Sequence, residues 1–252
     1  MITQLVDILA TFDKISLDEM KNIRLMNRTD TKFITSICEL PHFLQEAKEL
    51  YYTQEIDQCT IMPYNTIYYD TANNEMYLAH HNGRKKRKKV RIRSYTHSGI
   101  CFLEIKNKSN KGKTQKERIE LQQEQTLYNT DAARFLAEKT TYTTQQLIPQ
   151  IENNFKRITL VNKNKTERLT IDFNISFYNH VTLQHKELPS LVIIELKREG
   201  HAFSPLSEMR RHIRIPQTSI SKYCIGSVLT NPSLKHNCFK EKIRAINRLD
   251  YQ

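Results

Sequence analysis

Glycine is scarce in this sequence: only five of its 252 residues are glycine, and each stands singly. No G-x-x-x-x-G-K-[ST] or G-x-G-x-x-G run is present. This excludes the backbone cradles with which P-loop and dinucleotide-binding proteins hold phosphate groups. If the protein binds phosphate, it must do so with side chains.

Organised cysteine and long apolar runs are missing too. The five cysteines are odd in number and scattered, with no C-x-x-C pair, so neither a zinc knuckle nor a disulfide framework is predicted. No stretch approaches the roughly eighteen apolar residues of a transmembrane helix. The first residues also lack the basic segment and apolar core of a signal peptide. We therefore expect a cytoplasmic protein with no transmembrane segment; a separate membrane partner is left open.

Positive charge is what the sequence has in excess. The formal net charge is +12 and the sequence pI is about 9.4, which indicates an anionic partner. Nucleic acid, an acidic membrane surface, a nucleotide or inorganic polyphosphate would each satisfy that condition. A hydrophobic share of 38% and a mean hydropathy of −0.61 fit a folded chain with much polar strand surface.

The order of local patterns predicts an antiparallel α+β fold in a single domain over 1–252. Helical spacing is expected over 1–25, with a capping box at Ser16–Glu19, and over 39–50, 73–81, 131–148 and 204–212. A last helix is expected over 221–229. Strands are expected over 27–35 and 66–70 and within 90–122 and 151–197, with Asn82-Gly83 and the two glycines at 99 and 112 as turns. Residues 1–25 would be N-terminal helices, 26–230 the main domain, and 231–252 a C-terminal tail.

Charged residues recur at every second position along these strands. Since strand side chains alternate between faces, Arg91 and Arg93 share one face while Val90 and Ile92 share the other. The same division holds for five further segments, whose charged members are Arg28, Asp30 and Lys32; Glu104 and Lys106; Lys116, Arg118 and Glu120; Arg168 and Asp172; and Glu195 and Lys197.

The simple interpretation of this alternation is an antiparallel sheet with one wet face. Three details count against this simple interpretation. The positions are mostly charged rather than Ser, Thr or Gln, arginine suits two-point contacts with phosphate, and the carboxylates stand beside bases, as a site for phosphate and a divalent metal would require. If the faces enclose a lumen, with Arg157 and Lys222 added, the cations outnumber the carboxylates. Burying that surplus empty would be costly, so a bound polyanion is implied.

Eight of these motifs, in order, resemble the VTC (vacuolar transporter chaperone) polyphosphate polymerase domain, a family of the triphosphate tunnel metalloenzymes. The resemblance extends from about residue 22 to 230. The motifs are NRTDTKF at 27–33, YYDT at 68–71, KVRIRSY at 89–95, LEIK at 103–106, KER at 116–118, RLTID at 168–172, IELK at 194–197 and SKY at 221–223.

The resemblance implies an antiparallel β-barrel tunnel flanked by helices, inside which the γ-phosphate of ATP is transferred to a growing polyphosphate chain. The partners would be ATP and inorganic polyphosphate or triphosphate, and the cofactor Mn²⁺ or Mg²⁺. Catalytic roles would fall to Lys32, Arg91, Arg93 and Glu195. Glu195 would be the leading metal ligand, with Glu104 as a helper. The implied phosphate-binding residues are Lys32, Arg91, Arg93, Lys106, Lys116, Arg118, Arg157, Arg168, Lys197 and Lys222.

Two departures limit what is carried over. Hydrolases of the superfamily have a Glu-x-Glu-x-Lys first strand, whereas this chain has Arg28-x-Asp30-x-Lys32, so fewer metal sites and a weaker case for a triphosphatase are expected. The chain also has no room for the SPX domain or membrane helices of eukaryotic members, which suggests a bacterial protein.

Other functions stay open at this stage. A non-catalytic polyphosphate or nucleotide sensor would bind without turnover, and a tunnel-type inorganic triphosphatase would release orthophosphate. The basic run at 84–89 could be a solvated approach to a hairpin, a tunnel mouth that attracts polyphosphate, or a nucleic-acid patch. No nucleic acid is expected as the main partner.

Overall fold

The computed structural model describes residues 1–21, 23, 28–110, 114–121, 127–200, 203–213 and 215–251. Asn27 and the predicted turn at Gly112 therefore lie outside the described residues, as does the side chain of Arg28. Within the described ranges the strands are β1 Lys14–Ser16, β2 Arg28–Ser36, β3 Tyr51–Glu55, β4 Ile61–Asp70, β5 Arg87–Tyr95, β6 Ile100–Lys108, β7 Thr114–Leu121, β8 Ile148–Asn162, β9 Glu167–Asn179, β10 His185–Leu188, β11 Leu191–Glu199 and β12 Gln217–Thr218.

Helices flank these strands. They are α1 Ile2–Ala10, α2 Leu17–Lys21, α3 Leu40–Ala47, α4 Glu75–His81, α5 Thr130–Lys139, α6 Pro205–His212, α7 Lys222–Thr230 and α8 Lys240–Arg248. Short 3₁₀ turns cover Ile37–Glu39, Thr144–Gln146, Asn237–Phe239 and Leu249–Tyr251. Among the described residues, none of the helices combines the length and the apolar character that crossing a membrane requires.

One sheet contains all of these strands, and its long path follows the order β12-β2-β11-β9-β8-β4-β5-β6-β7. Neighbours on that path are antiparallel, while β1 adds to β3 in parallel. The predicted antiparallel α+β class is confirmed. Within the described residues the two ends of the path are not hydrogen-bonded to each other, so the sheet is tunnel-like without being a closed barrel.

The two faces of the sheet differ as the alternation predicted. On β9 and β11, Leu169, Ile171 and Ile194 point away from the charged side and are fully buried. They join an apolar cluster with α1, α3 and α6, whose contributing side chains include Leu5, Leu9, Leu40, Phe43 and Leu206. A second cluster packs α4, α7 and α8 on β8 to β10, and a third packs α5 on β5 to β7. The helices α1, α3, α5 and α6 thus cover the outer face, whereas α7 also meets the charged face, where Lys222 contacts Asp172.

Three local predictions are wrong. Residues 14–16 form β1 instead of continuing the predicted helix, because they pair with Thr53–Glu55 of β3, a long-range contact that local spacing cannot reveal. The helix expected over 131–148 ends at Lys139, where a Thr-rich segment follows. The helix at α7 is not the last, since α8 lies in the expected tail. The capping box at Ser16 is confirmed: its hydroxyl accepts from the Glu19 amide, and the Glu19 carboxylate accepts from the Ser16 amide.

Candidate functional site

Strand register places the predicted site residues on one continuous face of the sheet. Lys32 of β2 is directly opposite Glu195 of β11, and Lys197 of β11 is opposite Arg168 of β9. Asp172, four residues further along β9, is opposite Arg157 of β8. Because residues two apart share a face, this half of the sheet presents an unbroken charged surface, which we call the lumen face.

The other half of the sheet continues the same surface. Thr66 of β4 faces Arg93, and Arg91 faces Glu104 of β6. Glu104 in turn faces Arg118 of β7. Every strand residue of the predicted site therefore lies on the lumen face.

The charges around Lys106 indicate that the two halves of the lumen face curve toward each other. The pKa of Lys106 is lowered to about 7, first by burial and then by the positive charges of Arg91, Lys197 and Lys32, while the negative charge of Glu195 opposes the shift. Arg91 is a neighbour within the same half, but Lys197, Lys32 and Glu195 stand on β11 and β2 in the other half. The space between the halves is the lumen.

Asp172 holds two cations in the lumen wall. Arg157 Nε lies 2.5 Å from Oδ1 and Arg157 Nη2 lies 2.8 Å from Oδ2, a two-point ion pair, while Lys222 Nζ also donates to Oδ2. Asp172 is buried. Burial by itself raises its pKa, but Arg157 and Lys222 outweigh that effect and hold the pKa below its usual range. The carboxylate stays ionised and fixes both cations.

Glu104 of β6 likewise pairs with two cations, as Asp172 does. Its side chain is fully buried, and Arg91 Nε and Nη2 lie 2.7 and 2.6 Å from Oε2, while Lys116 Nζ donates to Oε1. Burial raises the pKa of Glu104, but the nearby cations Arg91, Arg93 and Lys116 lower it by more. Both carboxylate oxygens are thus engaged by bases.

Glu195 differs from these two carboxylates. Its nearest described cation is Lys197 on the same strand, with Nζ 3.8 Å from Oε2, and about a fifth of its side chain is exposed. Burial raises the pKa of Glu195, but Lys197, Lys32 and Arg157 together pull it below its usual range. The result is an ionised carboxylate that faces the lumen without a tight ion pair.

Several site cations rest on aromatic rings. Tyr64 supports both Arg157 and Arg93, with guanidinium carbons 5.0 and 5.7 Å from the ring centroid. Lys222 Nζ lies 3.5 Å from the centroid of Phe155. A cation over a ring face is stabilised without losing its charge, so these side chains keep donors available for an anion.

The remaining predicted residues lie at the margins. Arg118 is exposed on the edge strand β7 and stacks on Phe102 at 4.3 Å. Lys116 is more than a third exposed, and Arg168 Nη2 donates to the carbonyl of Met20 at 3.3 Å. Lys32 Nζ donates to the carbonyl of Ile220 at 3.0 Å, just before α7. The lumen is therefore buried at Arg93 and open along β7.

Lys222 comes from a helix rather than a strand. Ser221 caps α7 by accepting a hydrogen bond from the Cys224 amide, which fixes the start of the helix. Tyr223 reaches back from the same turn and donates to the buried Asp70 at 2.5 Å. These contacts hold the first turn of α7 against the sheet and direct Lys222 to Asp172.

A family profile described as the VTC domain matches residues 27–231, most of the chain. The chain belongs to the VTC domain family. No curated protein matches the sequence.

Solved structures give more distant likenesses to this VTC domain. A candidate adenylate cyclase from Vibrio parahaemolyticus has 12% identity and a TM-score of 0.45, covering 80% of this chain and 99% of its own. A candidate adenylyl cyclase from Hippeastrum, described as having a dominant triphosphatase activity, has 14% identity and a TM-score of 0.49, covering 80% and 95%.

The donor set of this VTC domain bears on the implied metal. Among the described residues, no three His, Cys, Asp or Glu side chains are grouped to hold an ion by themselves. Mg²⁺ commonly uses only one or two carboxylates together with substrate phosphates, and Glu195 meets that requirement. Both oxygens of Glu104 are engaged by Arg91 and Lys116, so its metal role stays a prediction that this geometry does not favour.

Sequence reasoning did not select Lys89 as a site residue of this VTC domain. It extends the Arg91 and Arg93 row by one more step of two, and that spacing was the available signal. Its Nζ donates to the Ser221 hydroxyl at 2.9 Å. Burial lowers its pKa to about 8, helped by Lys32 and Arg91. Lys89 is therefore part of the lumen, which corrects the solvated interpretation of this end of the 84–89 run.

Proposed function

We propose that this VTC domain binds the triphosphate of ATP and inorganic polyphosphate in its lumen and transfers the γ-phosphoryl group to the polyphosphate chain. The observation that carries the proposal is the surplus of cations on a partly buried lumen face. Two of its lysines, Lys106 and Lys222, have their pKa lowered to about 7, first of all by burial. A lumen that holds cations at this cost is suited to a ligand with several negative charges.

The arrangement of charge also supports phosphate as the ligand class. Arg91 and Arg157 are fixed by carboxylates, yet each guanidinium has more donors than those ion pairs use. Lys106 has no hydrogen-bond or ion-pair partner within the described residues and faces the lumen. Donors converging from several strands would bind successive phosphate groups and align a donor with an acceptor.

The reaction needs little from the protein beyond positioning and charge neutralisation. A terminal oxygen of the polyphosphate chain would attack the γ-phosphorus of ATP, the bond from that phosphorus to the β–γ bridging oxygen would break, and ADP would leave. The nucleophile is already an anion, so no serine or histidine base is required. Lys32, Arg91 and Arg93 would bind the reacting phosphates. A divalent ion held by Glu195 would supply further neutralisation of the transferring group.

A second candidate is a polyphosphate or nucleotide sensor without turnover. It is favoured by the ion pairs that engage Glu104 and Asp172, which leave fewer lumen carboxylates, Glu195 among them, to hold a metal. The superfamily's hydrolase activity, with triphosphate as substrate, is a third outcome that the same assay detects.

The test is incubation of the purified protein with ATP and Mn²⁺, followed by separation of polyphosphate by chain length on a gel and measurement of free phosphate. Chain growth supports the polymerase. Free phosphate without chains identifies a hydrolase, and tripolyphosphate binding without either product identifies a sensor. Lys32→Ala and Arg93→Ala should lower turnover by at least about a hundredfold, whereas Arg134→Ala, on the exposed face of α5, is the matched control. Absence of both binding and products in the wild type would contradict all three.

A further inference from the structure

The start of β5 and the end of β6 carry positive charges in register. Arg87 is directly opposite Lys108, and Lys89 is directly opposite Lys106, which in turn is opposite Lys116 of β7. Side chains directly opposite in an antiparallel pair lie close together, and like charges there destabilise the sheet. Strand pairing therefore brings like charges together at this end of the sheet, which destabilises the free protein.

Carboxylates offset this repulsion deeper in the lumen but not here. Arg91, one step of two further along β5, is opposite Glu104. Within the described residues, no carboxylate lies within ion-pair distance of Arg87, Lys89, Lys106 or Lys108. We call these four residues the outer row.

The helices at this end add positive charge. His80 of α4 contacts Cys224 of α7, with Nδ1 3.1 Å from Sγ. The pKa of His80 is lowered to about 3, first by burial and then by the positive charges of Lys89, Arg87 and Lys242. Lys242 Nζ of α8 lies 5.5 Å from the ring centroid of Phe239, and that ring is 6.2 Å from the ring of His80, so Lys242 stands at the same end of the sheet as the outer row. The neutral imidazole supplies no compensating negative charge.

The outer row also continues the lumen in a straight line. Arg87, Lys89, Arg91 and Arg93 occupy alternate positions on one strand, so their side chains follow each other at about 6.6 Å. A single phosphate would reach one or two of them, whereas a linear polyanion would contact the whole series. Residues 84–86, exposed just before β5, extend the positive charge outward.

From this geometry we infer a second phosphate-binding segment at the outer end of the lumen, formed by the outer row and Lys242, which holds the part of a linear polyphosphate chain that extends beyond the phosphates bound at Lys32, Arg91 and Arg93. The inference rests on the proposed function, since it assigns the path of the same ligand. Polyphosphate is favoured over nucleic acid because residues 87–89 and 106–108 contain no aromatic side chain on which a base could stack.

The experiment compares binding of tripolyphosphate and of long-chain polyphosphate at several salt concentrations. In the double variant Arg87→Gln/Lys108→Gln, the affinity for the long chain should fall on the order of tenfold more than the affinity for tripolyphosphate. The dependence of long-chain affinity on salt should also weaken. Arg134→Gln/Lys186→Gln removes the same charges from exposed sites on α5 and β10 and should not change the ratio of the two affinities.

The alternatives give different results. Equal losses for both ligands would show a general field effect and overturn the outer segment, as would no loss for either. Single-stranded DNA serves as a third ligand in the same assay. If the double variant lost affinity only for this ligand, the outer row would be a nucleic-acid patch, which contradicts the inference. If the wild type fails to bind tripolyphosphate, the proposed function itself fails; normal tripolyphosphate binding without any dependence on the outer row contradicts this inference alone. Thermal unfolding of the double variant should show an unchanged or raised midpoint, because like-charge pairs are removed.

Discussion

Arg157 and Asp172 face each other on the paired strands β8 and β9, and their side chains meet in a two-point ion pair that Lys222 completes from α7. Arg157 and Asp172 lie on consecutive strands, whereas Lys222 is 50 residues beyond Asp172 in the chain. Their contact joins the sheet to the first turn of α7, and the shared carboxylate attracts both basic side chains and holds them side by side.

Asp172→Asn should destabilise the free protein by about 3 kcal/mol, because it leaves two partly buried cations without their shared counter-ion. Saturating tripolyphosphate should raise the unfolding midpoint of this variant by more than that of the wild type, since the anion would replace the lost charge. Urea unfolding with and without tripolyphosphate measures both effects. Asp7→Asn, on the exposed side of α1, is the control. A variant as stable as the wild type would show that the ion pair contributes nothing net.

Lys106→Met should stabilise the free protein while weakening phosphate binding. The pKa of Lys106 is about 7 in the folded protein against an ordinary value of 10.5. Between those values the unfolded chain binds a proton that the folded chain lacks, so stability should rise with pH across this window. Wild-type stability should therefore rise by about 2 kcal/mol between pH 7 and pH 9 on account of Lys106, and the variant should lack this rise.

Urea unfolding at the two pH values checks this prediction, with Lys186→Met on the exposed strand β10 as the control. Calorimetry of tripolyphosphate binding at pH 8, in buffers of different ionisation enthalpy, should also show proton uptake by the wild type, because the bound anion raises the pKa of Lys106. A slope of stability against pH that is identical in wild type and variant would contradict the assignment.

Glu195→Gln should separate binding from turnover. Removing this carboxylate takes a negative charge out of the lumen, so metal-free affinity for tripolyphosphate should stay the same or increase. Metal-dependent turnover should fall by at least about a hundredfold, because the variant loses its ligand for the divalent ion. Glu187→Gln, exposed on β10, is the matched control. If turnover stayed within a few-fold of the wild-type rate, Glu195 would not be a ligand of the divalent ion.

Gly226→Ala tests how closely α7 must pack on the sheet to present Lys222. A Cβ there would lie 2.5 Å from Phe177 Cδ1 and 2.9 Å from Ile151 Cγ2, so helix or sheet must shift. We expect a loss of about 2 kcal/mol in unfolding free energy and weaker tripolyphosphate binding. Gly83→Ala meets no atom but has a left-handed φ of +68°, and should cost about 1 kcal/mol. Equal tripolyphosphate affinity in both variants would mean that the position of α7 does not govern the site.

The sequence by itself determined which residues share a face. A strand has a period of two, so alternation along β5, β6, β9 and β11 was enough to divide apolar from charged positions and to name the strand residues of the site. The order of motifs also predicted the family, which the match over 27–231 confirms. The alternation and the order of motifs are both properties of the linear sequence, so they can be recognised without a structure.

Only the tertiary structure decided what those residues contact. That Lys106 on β6 lies near Lys32 and Glu195, and that Lys222 reaches Asp172, depend on the curvature of the sheet and on contacts between distant parts of the chain. Glu104 meets Arg91 and Lys116 across consecutive strands, but only the structure shows that both of its oxygens are engaged. Long-range pairing also made residues 14–16 a strand, and the fold brought Lys89 to the hydroxyl of Ser221. A period of two is a property of the linear sequence, whereas the contacts of Lys106 and Lys222 are set by elements that are far apart in it.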